Sequence, residues 1–195
     1  TGALVDVKIA IRHHIGSGNR STRDTTQRLT IVESQSRAEG MTMDSWDFSS
    51  FDGVKLRIHE VGQGRLIILL HGLFSNAHTN WIKFGHADAL VQAGYRVVMP
   101  DLRAHGQSEA PQQPNAYPQD VLVRDILSLI DHLNVQDYDL GGFSLGARTT
   151  ANLLSSGAKP RRAILAGMGL EGLSGWEQRQ DFFLIAIAFK DTAKR

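Results

Sequence analysis

A serine hydroxyl attacks carbonyl carbon only when a fold holds it clear of the chain and near a base, and Gly142-Phe143-Ser144-Leu145-Gly146 has the make-up of such a holder. A G-x-S-x-G run between a strand and a helix makes a sharp turn that lifts Oγ out of the sheet, beside the positive end of the following helix. The same five residues also read as a tight glycine turn whose serine caps a helix. Two further runs bear on the choice. His71-Gly72 follows the apolar run ending at Leu70, and a glycine there lets the Leu73 N–H point at a developing oxyanion. With the Leu145 N–H it would supply the two donors that acyl transfer needs. Asp101, Arg103, His105, Gly106 and Ser108 form a third run, in a loop after a strand, where α/β folds place their sites.

Elements able to position these residues recur along the chain. Ser45–Phe51 and Val54–Val61 alternate around Asp52-Gly53, a turn pair whose glycine accepts positive φ, and predict an antiparallel hairpin. Arg65–Leu70 is apolar on both faces, as a central strand covered by helices on two sides must be. Thr79–Ala93 reads as a helix ending at Gly94, and Tyr95–Met99 as a strand stopped by Pro100. Pro118–Leu133 carries Leu122, Ile126, Leu129, Ile130 and Leu133 on one helical stripe. Tyr138 leads a strand into the glycine-rich turn, Leu145–Ser156 is a second helix, and Arg162–Ala166 is a last strand. Strands alternating with helices predict an α/β fold, a mostly parallel sheet with helices on both faces.

Composition narrows the function classes. A chain of 195 residues is about one domain. With 21 basic and 20 acidic residues the net charge is +1, so no broad basic footprint for nucleic acid exists. Without cysteine there is no disulfide, thiol catalysis or thiolate zinc site. No apolar run approaches the roughly 20 residues needed to cross a bilayer, and the first residues lack a secretory pattern, so a cytoplasmic location is expected. Residues 1–40 hold no aromatic residue and are rich in Ser, Thr and Arg. They are expected to form a flexible or non-native extension, with the globular core over 41–175 and a cap or lid helix beginning at 176–195.

In the order HG, DxRxHGxS, GxSxG, each after a strand, these motifs resemble the α/β-hydrolase fold superfamily, in particular its single-domain esterase and haloperoxidase-like members. The resemblance covers about residues 44–175. It implies Ser144 as nucleophile, the Leu73 and Leu145 amides as oxyanion hole, and His71, Gly72, Phe74 and Phe143 around the substrate. Asp101, Arg103 and His105 match a loop that is mainly structural in the family. A serine at the elbow argues against the haloalkane dehalogenase and epoxide hydrolase branches, which carry an aspartate there. The implied reaction is acyl transfer to water on an ester, lactone or similar small carbonyl compound. A perhydrolase or carbon-carbon bond hydrolase would use the same residues, and no cofactor or metal is implied.

One departure is large. The family's acid and histidine follow the serine, yet no histidine follows Ser144, and only Glu171 among the later acids lies just beyond a strand. The expectation is the N-terminal part of a hydrolase, weakly active or inactive alone, lacking the family's last strands. Arg162–Ala166 would then be an exposed edge open to pairing with another chain. A non-catalytic hydrolase-like protein binding a small ligand or partner is the alternative. Gly167-Met168-Gly169 to Gly172 fits G-x-G-x-x-G, but Ser174-Gly175 break the helix that nucleotide binding requires. His13 and His14 are adjacent and would point to opposite faces of a strand. The apolar stretch Phe182–Phe189 reads as core or lid.

Overall fold

The computed structural model describes residues 42–169 and the main chain of 6–10. One sheet holds seven strands: β1 (Asp6–Ala10), β2 (Asp44–Ser49), β3 (Lys55–Val61), β4 (Arg65–Leu70), β5 (Tyr95–Pro100), β6 (Tyr138–Phe143) and β7 (Arg162–Ala166). Their spatial order is β1-β7-β6-β4-β5-β3-β2. β4 pairs parallel with both β5 and β6, and β7 pairs parallel with β6 and β1. β3 runs against its neighbours, pairing antiparallel with β5 and with β2, to which it is joined by the turn in which Gly53 has φ 85°. The fold is thus the mostly parallel α/β sheet that the sequence predicts.

Side-chain alternation along β4 divides the core. Leu66, Ile68 and Leu70 pack with Leu122, Ile126, Leu129 and Ile130 of α2 (Val121–His132) and Leu153 of α3 (Leu145–Ser155). Ile67 and Leu69 face the other way, onto Ala87, Leu90 and Val91 of α1 (His86–Gln92). Fully burying each such Leu, Ile or Val contributes about 1.5–3 kcal/mol, which is why β4 must be apolar on both faces.

Two expectations change. Thr79–Ala93 is not one helix: a π-helical turn, His78–Ile82, precedes α1, and the break falls at Gly85, whose φ of 73° leaves the right-handed helical region. Nor is β7 the sheet edge. β1, taken from the stretch expected to be an extension, pairs with it from Asp6↔Arg162 to Ala10↔Ala166. Among the described residues no helix is long and apolar enough to cross a membrane.

Candidate active site

β6 and α3 meet at Ser144, which has φ 52° and ψ −109°, a conformation rarely taken by a residue with a side chain. The turn is held by the Ser144 N–H donating to Ala166 O at 2.8 Å and the Arg148 N–H donating to Ser144 O at 3.0 Å. Close approach explains both flanking glycines. A Cβ on Gly142 would stand 2.1 Å from Gly146 O, and one on Gly146 2.0 Å from Leu70 O. Those contacts seat the start of α3 directly on the end of β4. The Ser144 hydroxyl makes no capping hydrogen bond to α3, so the helix-cap reading of this serine is not met. As the first residue of α3, Leu145 has an N–H with no partner inside the helix.

The loop after β4 lies against this serine. A Cβ on Gly72 would sit 3.5 Å from Ser144 Cβ and 3.2 Å from the Phe143 ring. Four hydrogen bonds fix the loop. Leu102 N–H donates to His71 Nε2 at 2.9 Å, which leaves the ring proton on Nδ1 to donate to Gly72 O at 2.8 Å. Gly72 N–H donates to Asn80 Oδ1 at 2.8 Å, and Ala77 N–H to Asp101 Oδ1 at 2.8 Å. A trans peptide aims its C=O and N–H in opposite directions, so anchoring Gly72 O on His71 turns the Leu73 N–H away from that ring. The next residue, Phe74, has φ 57°, a second residue with a side chain held in the left-handed region.

The expected site residues therefore separate into two groups. Gly72, Phe143 and Ser144 are brought together, with Leu73 and Leu145 next to them along the chain, and Phe143 and Phe74 expose 42% and 54% of their surface, enough to meet a ligand. The His71 ring does not line the site as expected, because it is fully buried with both nitrogens engaged. Burial and the neighbouring His105 push its pKa down to about 4, so it is neutral. Glu171, His13, His14 and the Phe182–Phe189 stretch lie outside the described residues. Among the described residues no histidine is hydrogen-bonded to Ser144.

Asp101, Arg103 and His105 build the loop behind this patch. Asp101 is buried; burial alone would raise its pKa, but hydrogen bonds from His59, the Gln107 N–H and the Ala77 N–H outweigh it and hold the pKa below the ordinary value. Arg103 is 0% exposed and forks onto Asp52 at 2.7 Å through both terminal nitrogens, onto Asp125 at 2.7 and 3.0 Å, and onto Ala116 O at 2.9 Å. The family likeness of this loop thus corresponds to buried scaffolding. Asn80 was missed in the sequence, where it reads only as one residue of a helical run. Among the described residues no group of three or more His, Asp or Glu is placed to hold a metal ion.

A strained serine at a strand-to-helix turn, facing a glycine loop at the end of the neighbouring strand, can be compared with known proteins. A family model described as the alpha/beta hydrolase fold matches residues 65–176. The chain belongs to the α/β-hydrolase family. This α/β hydrolase is similar to Epoxide hydrolase 3 of Siraitia grosvenorii, 33% identical over 97 residues that make up 49% of this chain and 29% of the relative. It is 34% identical over 127 residues to the 2-hydroxy-6-oxononadienedioate/2-hydroxy-6-oxononatrienedioate hydrolase of Escherichia coli (strain K12 / DH10B), covering 63% of this chain and 43% of that one. Among solved structures, an epoxide hydrolase from Vigna radiata superimposes with a TM-score of 0.56 at 31% identity, over 62% of this chain and 39% of that one. The chain therefore spans less than half the length of these relatives. Their names do not include the esterase and haloperoxidase-like branch that the motifs resemble.

Proposed function

We propose that this α/β hydrolase carries the nucleophile and the oxyanion-binding amides of a serine hydrolase acting on a carbonyl substrate. The observation that carries the reading is Ser144 itself: a strained elbow residue, its hydroxyl not spent on capping, with Gly72 so close that a Cβ there would stand 3.5 Å from Ser144 Cβ. In the first step Ser144 Oγ bonds to the carbonyl carbon and its proton passes to a base, while the oxygen that becomes negative is held by the Leu73 and Leu145 N–H groups. The intermediate then expels its leaving group with that proton. The acyl group stays on Ser144 until water, losing a proton to the same base, adds to it; the acid then leaves and that proton returns to Ser144 Oγ. No base or acid is assigned to a described residue. A serine working without a base retains only binding and oxyanion effects, several orders of magnitude below the full site.

Several relatives are epoxide hydrolases by name, but the chemistry of serine favours a carbonyl substrate. Opening an epoxide with a serine oxygen would leave an ether on the protein, and an ether has no carbonyl at which water can complete a turnover. Attack on an ester or lactone expels the alkoxide and leaves an acyl group that water can remove; attack on a ketone does so only where a carbon-carbon bond breaks and the carbon fragment leaves with the proton. The relative from Escherichia coli is named for a 6-oxo compound, in keeping with such a substrate.

Labelling the 195-residue chain with a fluorophosphonate, alongside Ser144→Ala and heat-denatured protein, tests the proposal. Modification that needs both Ser144 and the native fold supports it. A folded chain that is not labelled at Ser144 even at high probe concentration favours the alternative, a hydrolase-like protein that only binds a small ligand or partner.

A further inference from the structure

The oxyanion-side loop is held by side chains from three directions, and one of them has no place in the motifs. His71 holds the Gly72 carbonyl and Asp101 the Ala77 N–H, whereas the Gly72 N–H is held by Asn80 from the π-helical turn His78–Ile82. Asn80 Oδ1 also lies 3.6 Å from where a Gly72 Cβ would be, a point itself 3.5 Å from Ser144 Cβ and 3.2 Å from the Phe143 ring. Its amide group therefore sits in the same small volume as the nucleophile. The partner fixes the orientation of that amide, since an N–H can be met only by the oxygen.

We infer that Asn80 is a positioning residue for the oxyanion hole: by accepting the Gly72 N–H it locks the peptide before Gly72, as His71 locks the one after it, and so sets the Leu73 N–H against Ser144. This rests on the serine-hydrolase reading for its catalytic meaning, though the positioning itself does not. Gly72 has no side chain to steady it, and neither of its peptides lies within a strand or helix. Freed from Asn80, the glycine can rotate, and displacing a donor by a fraction of an ångström weakens an interaction that must be short in the transition state. The turn that carries Asn80 reaches the loop by its own geometry: it ends at Lys83, whose N–H donates to His78 O at 2.8 Å, and is separated from α1 by Gly85. From this turn, separate from α1, Asn80 Oδ1 meets the Gly72 N–H.

The test uses the full 195-residue chain as wild type, Asn80→Ala and Asn80→Asp, with two readouts. The first is amide hydrogen exchange and chemical shift at Gly72 and Leu73 by NMR. Asn80→Ala should lose protection at Gly72 and shift Leu73 while the β6 and α3 amides stay in place; Asn80→Asp, which keeps an acceptor oxygen, should retain the protection. The second is the rate of fluorophosphonate labelling at Ser144. It should fall roughly tenfold to a hundredfold in Asn80→Ala, less than the roughly hundredfold to thousandfold cost of losing an oxyanion donor outright. In Asn80→Asp it should also fall, because a carboxylate beside the oxyanion repels it although the loop is in place. A structural role alone would not separate the two variants in this way. Unchanged Gly72 and Leu73 amides in Asn80→Ala would overturn the inference, as would equal labelling of all three proteins. If wild type is not labelled, the serine-hydrolase reading fails, and the NMR comparison still decides whether Asn80 positions the loop.

Discussion

With its Nδ1 proton given to Gly72 O and its Nε2 lone pair to the Leu102 N–H, the His71 ring has nothing left to take a proton from Ser144. Its neighbour in sequence, Gly72, is the residue that faces the elbow, where an added Cβ would reach Phe143 and Ser144, so proximity along the chain does not make His71 a base. The same two bonds make His71 a source of pH dependence in stability. Protonation would set an N–H against the Leu102 N–H, and burial with His105 close by already holds the pKa at about 4, against 6.5 for a free histidine. Below pH 6.5 the unfolded chain binds a proton that the folded one refuses, so the contribution from neutral His71 is complete above 6.5 and lost as pH falls toward 4. The difference corresponds to about 3 kcal/mol. Urea unfolding of wild type should therefore weaken steeply over that window. His71→Asn, although less stable at pH 7, should show a shallower slope by about one proton; an identical slope would mean that His71 titrates normally in the fold.

Arg103 works between elements. It reaches from the loop after β5 to Asp52 in the β2–β3 turn, to Asp125 on α2 and to the carbonyl of Ala116, and Asp125 also receives the hydroxyl of Ser50. Arg103 and Asp125 are buried, whereas Asp52 keeps 29% of its side chain exposed, so the guanidinium and the Asp125 carboxylate have given up water and depend on one another. Removing one side of such a pair leaves an unpaired buried charge, which costs about 3–5 kcal/mol. Arg103→Ala should lose that much in urea unfolding, and Arg103→Lys should fall between, since one ammonium cannot meet both carboxylates in forked geometry. A loss below about 1 kcal/mol in Arg103→Ala would show that solvent replaces the guanidinium. The sequence placed this arginine in a mainly structural loop only through its family likeness; its partners, 51 and 22 residues away, are invisible to local patterns. The strands and the helix α2 were legible because their periodicity records which face is buried. The helix predicted over Thr79–Ala93 was not, because the apolar spacing continues through Gly85 while the backbone turns there. Asn80 was overlooked for the same reason.

At the scale of the whole molecule, the sheet order places β4 between β5 and β6, and the loop after β4 and the elbow after β6 meet over that boundary. Both motifs were readable because chemistry restricts which residue types can stand there. The far end of the sheet was not: Val5, Val7, Ile9 and Ile11 alternate like a strand, but the polar stretch that follows outweighed them. β1 nonetheless pairs with β7 along five residues, which changes what β7 presents to solvent. A parallel edge strand with free N–H and C=O groups templates further pairing, and β7 carries Ile164 at 41% exposure. Removing residues 1–12 should therefore uncover β7 and produce concentration-dependent association in light scattering, with little change at the Ser144 end. Adding Ile164→Lys to the shortened chain should suppress that association, because a charge on an edge strand opposes stacking of a second copy. If the shortened chain stays monomeric and equally stable without the lysine, β1 does no work in closing the sheet and the edge is protected by other means.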